Sequence, residues 1–230
     1  MRTNEQDNAL FEDGKKLKLA VADMYYLLSR NYPARAAVAL VGNRYALVKK
    51  QQTALLGMVC GEQELQNRLQ KELRPEQLKD KTIYVDGFNI LILLETLLSG
   101  GVVFKGLDGC YRDISSVHGT YKQVAQTEAV LLLVGRALQS LGVQKVVWVF
   151  DSPVSNSGKL KTYCYELAAL HEFHWEIMLH QHPDQYLIDN KVWACSADAF
   201  VLNECTAWFN LGAYMIQQDY LAGKHIVSAR

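Results

Sequence analysis

Three hydrophobic runs in this chain end on an acid: TIYVD at Asp86, VVWVFD at Asp151 and VWACSAD at Asp198. A single carboxylate after a strand commonly caps the next helix, the ordinary reading of each one alone. Three that leave strands of one parallel sheet would emerge on the same edge, where such sheets bind their ligands. Clustered carboxylates repel one another, and a folded chain tolerates them best around a cation. Oxygen ligands without thiolate select Mg2+ or Mn2+ over zinc. Such ions activate water and stabilise charge developing on a transferring phosphoryl group. Metal-assisted phosphodiester hydrolysis is the expected chemistry.

Other candidates carry weaker signals. In SPVSNSGKLK, residues Ser155, Asn156 and Ser157 precede a helix and read first as capping residues. The functional reading is a loop whose amides, with Lys159, hold a substrate phosphate. It is not a P-loop, because Pro153 replaces the first glycine and Leu160 follows the lysine. His171, His174, His180 and His182 meet no recognised zinc spacing with Cys164 or Cys195. Tyr25, Tyr26 and the four tryptophans lie mostly in apolar runs and read as core. A G-x-S-x-G nucleophile motif is absent.

The elements that must position the acids can be read in order. Residues 82–86, 146–151 and 192–198 are strands, with WEIML and GAYMI as further candidates. Helices fall between them: NILILLETLLSG, residues 121–140 with Val130, Leu131, Val134 and Leu138 on one stripe, a helix ending near His171, and AFVLNECTAWF. Asp108-Gly109 between two β-prone runs signals a hairpin. Alternating strands and helices imply an α/β fold, a mainly parallel sheet flanked by helices.

A different region precedes it. The first 15 residues lack periodicity and should fray. Three short helices follow, the second ending at Gly42 as a left-handed cap and the third near Gly61. The expected layout is a small basic all-α domain over 1–60, a linker helix broken at Pro75 over 61–80, and the α/β domain over 81–230. From Lys15 to Lys50 eight Lys/Arg face one acid, Asp23; from Lys81 onward 11 Lys/Arg face 14 Asp/Glu. Net charge is zero overall, but the basic piece suggests polyanion binding through Arg30, Arg35, Arg44, Lys49 and Lys50. Five cysteines without a C-x-x-C pair fit free thiols in the cytoplasm. No run approaches the roughly 18 apolar residues of a membrane span, and the polar N-terminus is unlike a secretory signal.

YVDGFNIL resembles the opening strand motif of the PIN-like nucleases, particularly the NYN branch, and VVWVFDSP and CSAD resemble that superfamily's later acidic strand ends. The likeness covers about residues 81–216. The whole chain also resembles an uncharacterised prokaryotic family that joins a small helical domain to a PIN-like one, through RNYPARAAVALVGNRYAL, LDGCYRDIS and DSPVSNSG. The PIN-like resemblance implies metal-dependent cleavage of nucleic acid, RNA foremost. It makes Asp86 and Asp198 metal-binding carboxylates, Asp151 the NYN-type acid and Asn89 the residue that orients the site. Glu95, Asp108, Asp113 and Asp184 are candidate supporting acids. Asp108 and Asp113 lie outside the superfamily pattern, Asp108 as a candidate turn residue. The competing readings are a non-catalytic binding or regulatory module on the same fold, and a small-molecule phosphohydrolase, the latter disfavoured by the missing D-x-D-x-T run.

Overall fold

The computed structural model describes residues 8–12, 14–114, 121, 124–218 and 225–230. Residues 1–7, part of the expected frayed start, lie outside this set, as do 122 and 123 of the expected 121–140 helix. The chain forms two compact units. One draws on Met1–Gln70, Thr96–Ile114 and Leu221–Arg230, the other on Lys71–Glu95 and Ser115–Tyr220.

In the first unit, helices α1 (Gly14–Leu28), α2 (Ala34–Arg44) and α3 (Lys49–Met58) pack on one another. Their apolar stripes are Leu17, Ala20, Val21 and Met24; Ala37, Val38 and Val41; and Ala54, Leu55 and Met58. Pro33 stands immediately before α2, where its fixed φ suits a helix start. Gly42 does not end that helix. It sits inside α2, where an added Cβ would come within 2.9 Å of the Gln52 side chain. The left-handed residue is Ala46, at φ 45°, and the Leu47 amide closes on the Gly42 carbonyl at 2.8 Å. Close packing, not capping, therefore explains this glycine. Helix α4 (Glu62–Lys71) follows, and Pro75 opens a 3-10 turn, Pro75–Leu78.

The expected hairpin forms, with β2 (Val103–Lys105) antiparallel to β3 (Tyr111–Arg112) and Gly109 at φ 78°. Strand β8 (Ile226–Ser228) joins β2 in parallel. Asp108 is buried in this hairpin. Its carboxylate takes Arg68 at 2.6 Å and Arg112 at 2.7 and 3.0 Å, and also accepts from the Cys110 amide at 3.1 Å.

The second unit is the α/β part, with an entirely parallel five-stranded sheet. Its strands are β1 (Thr82–Asp86), β4 (Lys145–Asp151), β5 (Trp175–His180), β6 (Trp193–Cys195) and β7 (Ala207–Trp208), in the order β5-β4-β1-β6-β7. Helices α5 (Gly87–Leu98), α6 (Thr127–Ser140), α7 (Ser157–Leu170), α8 (Pro183–Asp189) and α9 (Ala199–Glu204) connect them. Covered strands need apolar residues on both faces, and Ile83, Val85 and Val146–Phe150 are all buried. Val130, Leu131, Val134 and Leu138 are buried on α6 as their spacing predicts. At the outer strand β5, the Tyr165 hydroxyl accepts from the Ile177 amide at 3.2 Å and donates to the Ile177 carbonyl at 3.4 Å.

Two expectations near the end of the chain fail. AFVLNECTAWF is not one helix: α9 stops at Glu204, and Ala207–Trp208 form β7. GAYMI is not a strand but part of α10 (Leu211–Gln217). The Asn210 side chain caps that helix by accepting from the Ala213 amide at 3.2 Å, a local bond that favours helix.

Candidate functional site

From β1 the chain runs outward to β4 and β5, then crosses back to β6 and β7 on the other side. Connections thus leave β1 and β6 in opposite directions, which makes their carboxyl ends the switch point where sheets of this kind bind ligands. Asp86 closes β1 at that point and is only 4% exposed. Gly87 follows because a Cβ there would collide with the Phe150 ring. The glycine of D-G-F-N thereby lets the strand end on Asp86 directly beside β4.

The loop after β6 is laced to this motif. Ser196 donates to Asp86 Oδ2 at 2.6 Å and accepts from the Asp198 amide at 2.9 Å. Asn89 Oδ1 accepts from the Ala197 amide at 2.8 Å. Asp198 lies three residues beyond the strand and caps α9, its Oδ1 accepting from Phe200 and Val201 amides at 2.8 and 3.2 Å. Asp151 ends β4 and is half-buried. Asp184 stands in the first turn of α8, which packs over β1, β4 and β5.

Electrostatics joins these four acids. Burial pushes Asp86 well above the usual carboxylate range; its bond from Ser196 opposes the shift, and Asp184, Asp198 and Asp151 add to it. Burial, then Asp198 and Asp151, raise Asp184 to about 6. Burial also raises Asp151, opposed by a backbone hydrogen bond and by His182. The leading charges acting on Asp86 and Asp184 are thus other carboxylates, and a hard divalent cation is the chemical complement of such a set. Among the described residues, however, no three His, Cys, Asp or Glu side chains converge as a ready-made metal cage.

The remaining candidates take other positions. Glu95 is buried against Thr127 and Tyr121, both of whose hydroxyls donate to Oε1 at 2.5 Å. Burial raises its pKa, opposed by those two bonds. Asp108, committed to two arginines, belongs to the first unit, as does Asp113, just past β3. Ser157 is buried and donates to the Ser152 carbonyl at 3.3 Å, whereas Ser155 and Lys159 are exposed. The residue at the cap position of α7 is Asn156, at φ 72°, and its side chain donates to the Tyr121 carbonyl at 3.0 Å instead of capping. Arg30, Arg35, Arg44 and Lys49 are exposed and Lys50 half-buried; Arg44 pairs with Asp23 at 3.3 Å. Sequence reasoning missed Ser196 and the place of His182 beside Asp151. The hydroxyl two residues before the acid of CSAD was the available signal for the first.

A family model described as "Domain of unknown function (DUF5616)" matches residues 75–214, more than half of the chain. The chain belongs to this DUF5616 family. A second model, "Protein of unknown function (DUF434)", matches residues 16–71, so the two models together give the chain a two-domain layout. The DUF5616 chain is also similar to an uncharacterized protein of Methanocaldococcus jannaschii, 29% identical over 188 residues that span 82% of this chain and 90% of the relative. No solved structure matches.

Asp184 gives a direct test of the repulsion. An acid whose pKa rises on folding keeps its proton longer when folded, so stability falls as pH climbs from the unfolded value toward about 6. In EDTA at neutral pH, Asp184→Asn should melt a few degrees above wild type. The difference should vanish below about pH 4, where both states are protonated. A mutant that melts lower at pH 7 would refute the strain.

Proposed function

We propose that this DUF5616 chain is a PIN-like, NYN-type nuclease that hydrolyses RNA phosphodiesters with Mg2+ or Mn2+ at the carboxyl edge of its parallel sheet. The observation that carries the reading is the gathering of acids at the sheet's switch point, where Asp184, Asp198 and Asp151 all act on the buried Asp86, and Asp198 and Asp151 on Asp184. Asp86, Asp151 and Asp198 would hold the cation, with Asp184 beside them. Asp198 commits Oδ1 to its helix and keeps Oδ2 outside that cap. Once bound, the ion would supply an activated water and charge stabilisation at the phosphate. Asn89 and Ser196 do the positioning, holding the 196–198 loop against the end of β1.

Exposed Ser155 on the loop after β4 and exposed Lys159 in the first turn of α7 supply substrate phosphate contacts, with Ser157 behind them as a structural residue. All five cysteines are free and buried, in keeping with work in the cytoplasm. Among the described residues no helix is long and apolar enough to cross a membrane. One observation favours a non-catalytic module instead: Asp198 already has a structural task as a helix cap. The deciding assay is cleavage of single-stranded RNA that requires Mg2+ or Mn2+ and stops in EDTA.

A companion measurement reads the metal alone. A ligand that binds only the native state raises its melting temperature, so Mn2+ should stabilise the wild type. Asp151→Asn should remove that rise while the protein stays folded. Equal responses of mutant and wild type would rule out a shared site.

A further inference from the structure

The first unit bears exposed rings as well as cations. Helix α1 buries Leu17, Ala20, Val21 and Met24, and helical register turns Lys15, Leu19, Ala22 and Tyr26 to the other side, where all four are exposed. Tyr26 reads as core from its apolar run, yet it is 56% exposed. The Arg30 guanidinium lies over its ring, 3.6 Å from the centroid, and donates to the Tyr26 carbonyl at 3.3 Å. Tyr32, a few residues on, is 51% exposed, and Arg35 beyond it is exposed too. Asp23, the one acid between Lys15 and Lys50, is held by Arg44 and by the Tyr45 hydroxyl at 2.9 Å. Glu62, whose amide reaches Ser29 at 3.0 Å, accepts from Gln66 at 3.1 Å.

We propose that this face binds single-stranded nucleic acid by stacking a base on Tyr26 while Arg30, Arg35 and Lys15 meet the phosphates. A cationic surface takes the polyanion whatever its sequence, and an exposed ring takes any unpaired base on its π-face. Arg30 covers one side of the Tyr26 ring and orients it, so the other side is the platform. Bases within a duplex have both faces occupied by their neighbours, so the arrangement selects single strands. A membrane surface fits less well, because Ala22 and the charged Lys15 interrupt the apolar strip. The inference adds a strand preference and a stacking residue to the nuclease reading, and it stands whether or not the acidic edge cleaves.

The test uses the full chain in EDTA, with fluorescence anisotropy of a labelled oligo(U) of about 20 nucleotides. Tyr26→Ala should weaken binding about 5- to 100-fold, the range found for loss of one stacking ring. Tyr26→Phe should bind within about twofold of wild type. Arg35→Ala should lower the slope of log affinity against log salt by about one, whereas Tyr26→Ala should leave it unchanged. Arg30→Lys, which keeps the charge and loses the planar cover, should cost several-fold and guards against a misfolded alanine variant. Duplex RNA of equal length should compete poorly. Wild-type affinity in Tyr26→Ala, equal binding of duplex, absence of binding, or capture by anionic vesicles in place of oligo(U) would each overturn the proposal. Binding is read in EDTA and cleavage in a separate assay with Mg2+ or Mn2+, so failure of the nuclease reading would be seen separately.

Discussion

Asp86→Asn and Asp198→Asn should each cut metal-dependent RNA cleavage by about 100-fold or more, because each removes a charge needed to hold the cation against the phosphate. The double mutant should be scarcely worse than either single one, since groups that act as a unit are not additive. Asn89→Ala should cost less, its side chain serving to hold the Ala197 amide. Structure supplies an internal control for Asp198. Its cap on α9 is a separate task, and loss of a cap costs about 1 kcal/mol of stability. Asp198→Ala should show that loss of stability, whereas Asp198→Asn and Asp198→Ser keep a capping oxygen without the charge, so they should hold the melting temperature but not activity. Metal-independent contaminants survive EDTA, and activity that persists in both aspartate mutants would sink the enzyme reading in favour of the binding module.

Asp108→Ala should be the most destabilising single change in the first unit. Arg68, Asp108 and Arg112 have side chains 4%, 2% and 13% exposed, and removing the carboxylate takes a buried negative charge away from both guanidinium groups. Breaking a buried pair in this way costs about 3–5 kcal/mol, a loss that a denaturant midpoint will register. Asp108→Asn should fall nearly as far, because the side chain then keeps its turn bonding but not its charge. If it falls no further than an exposed control such as Asp189→Ala, the triad contributes only turn geometry. The pH dependence has a definite sign. Burial would raise the Asp108 carboxyl, but Arg112 and Arg68 outweigh it and hold the group below its ordinary value. Its stabilising effect is therefore full above the unfolded pKa and lost as pH falls through the lower folded one. The gap between wild type and Asp108→Asn should narrow in that acid range.

The central strands were legible because apolar runs buried on both faces stop abruptly at an acid. β1 and β4 end on Asp86 and Asp151 as read, and α6 buries the four residues its spacing picked out. What failed was decided by contacts that spacing does not carry. Gly42 has the composition of a cap, but Gln52 packs onto it from another helix. GAYMI carries a β-prone Tyr and Ile, but it follows Asn210, whose side-chain oxygen caps the helix by accepting from the Ala213 amide. Asp184 gains its neighbours only because α8 folds back over β1 and β4, a tertiary fact without a local signature. Asp108 looked like a turn residue and is one, but its arginines lie four and forty positions away. Tyr26 was recoverable: the stripe through Leu17, Val21 and Met24 leaves position 26 on the opposite face of the helix.

The hydroxyl of Tyr165 against Ile177 has a consequence for the company this protein keeps. An unpaired outer strand is an open template on which another chain can continue a sheet. Here one side chain occupies both the donor and the acceptor at the middle of that border, so a newcomer must first evict a phenol before it can zip alongside. Crowded together, copies of this chain should stay soluble and separate along that margin, and Tyr165 acts there as a hem that keeps the fabric from being extended.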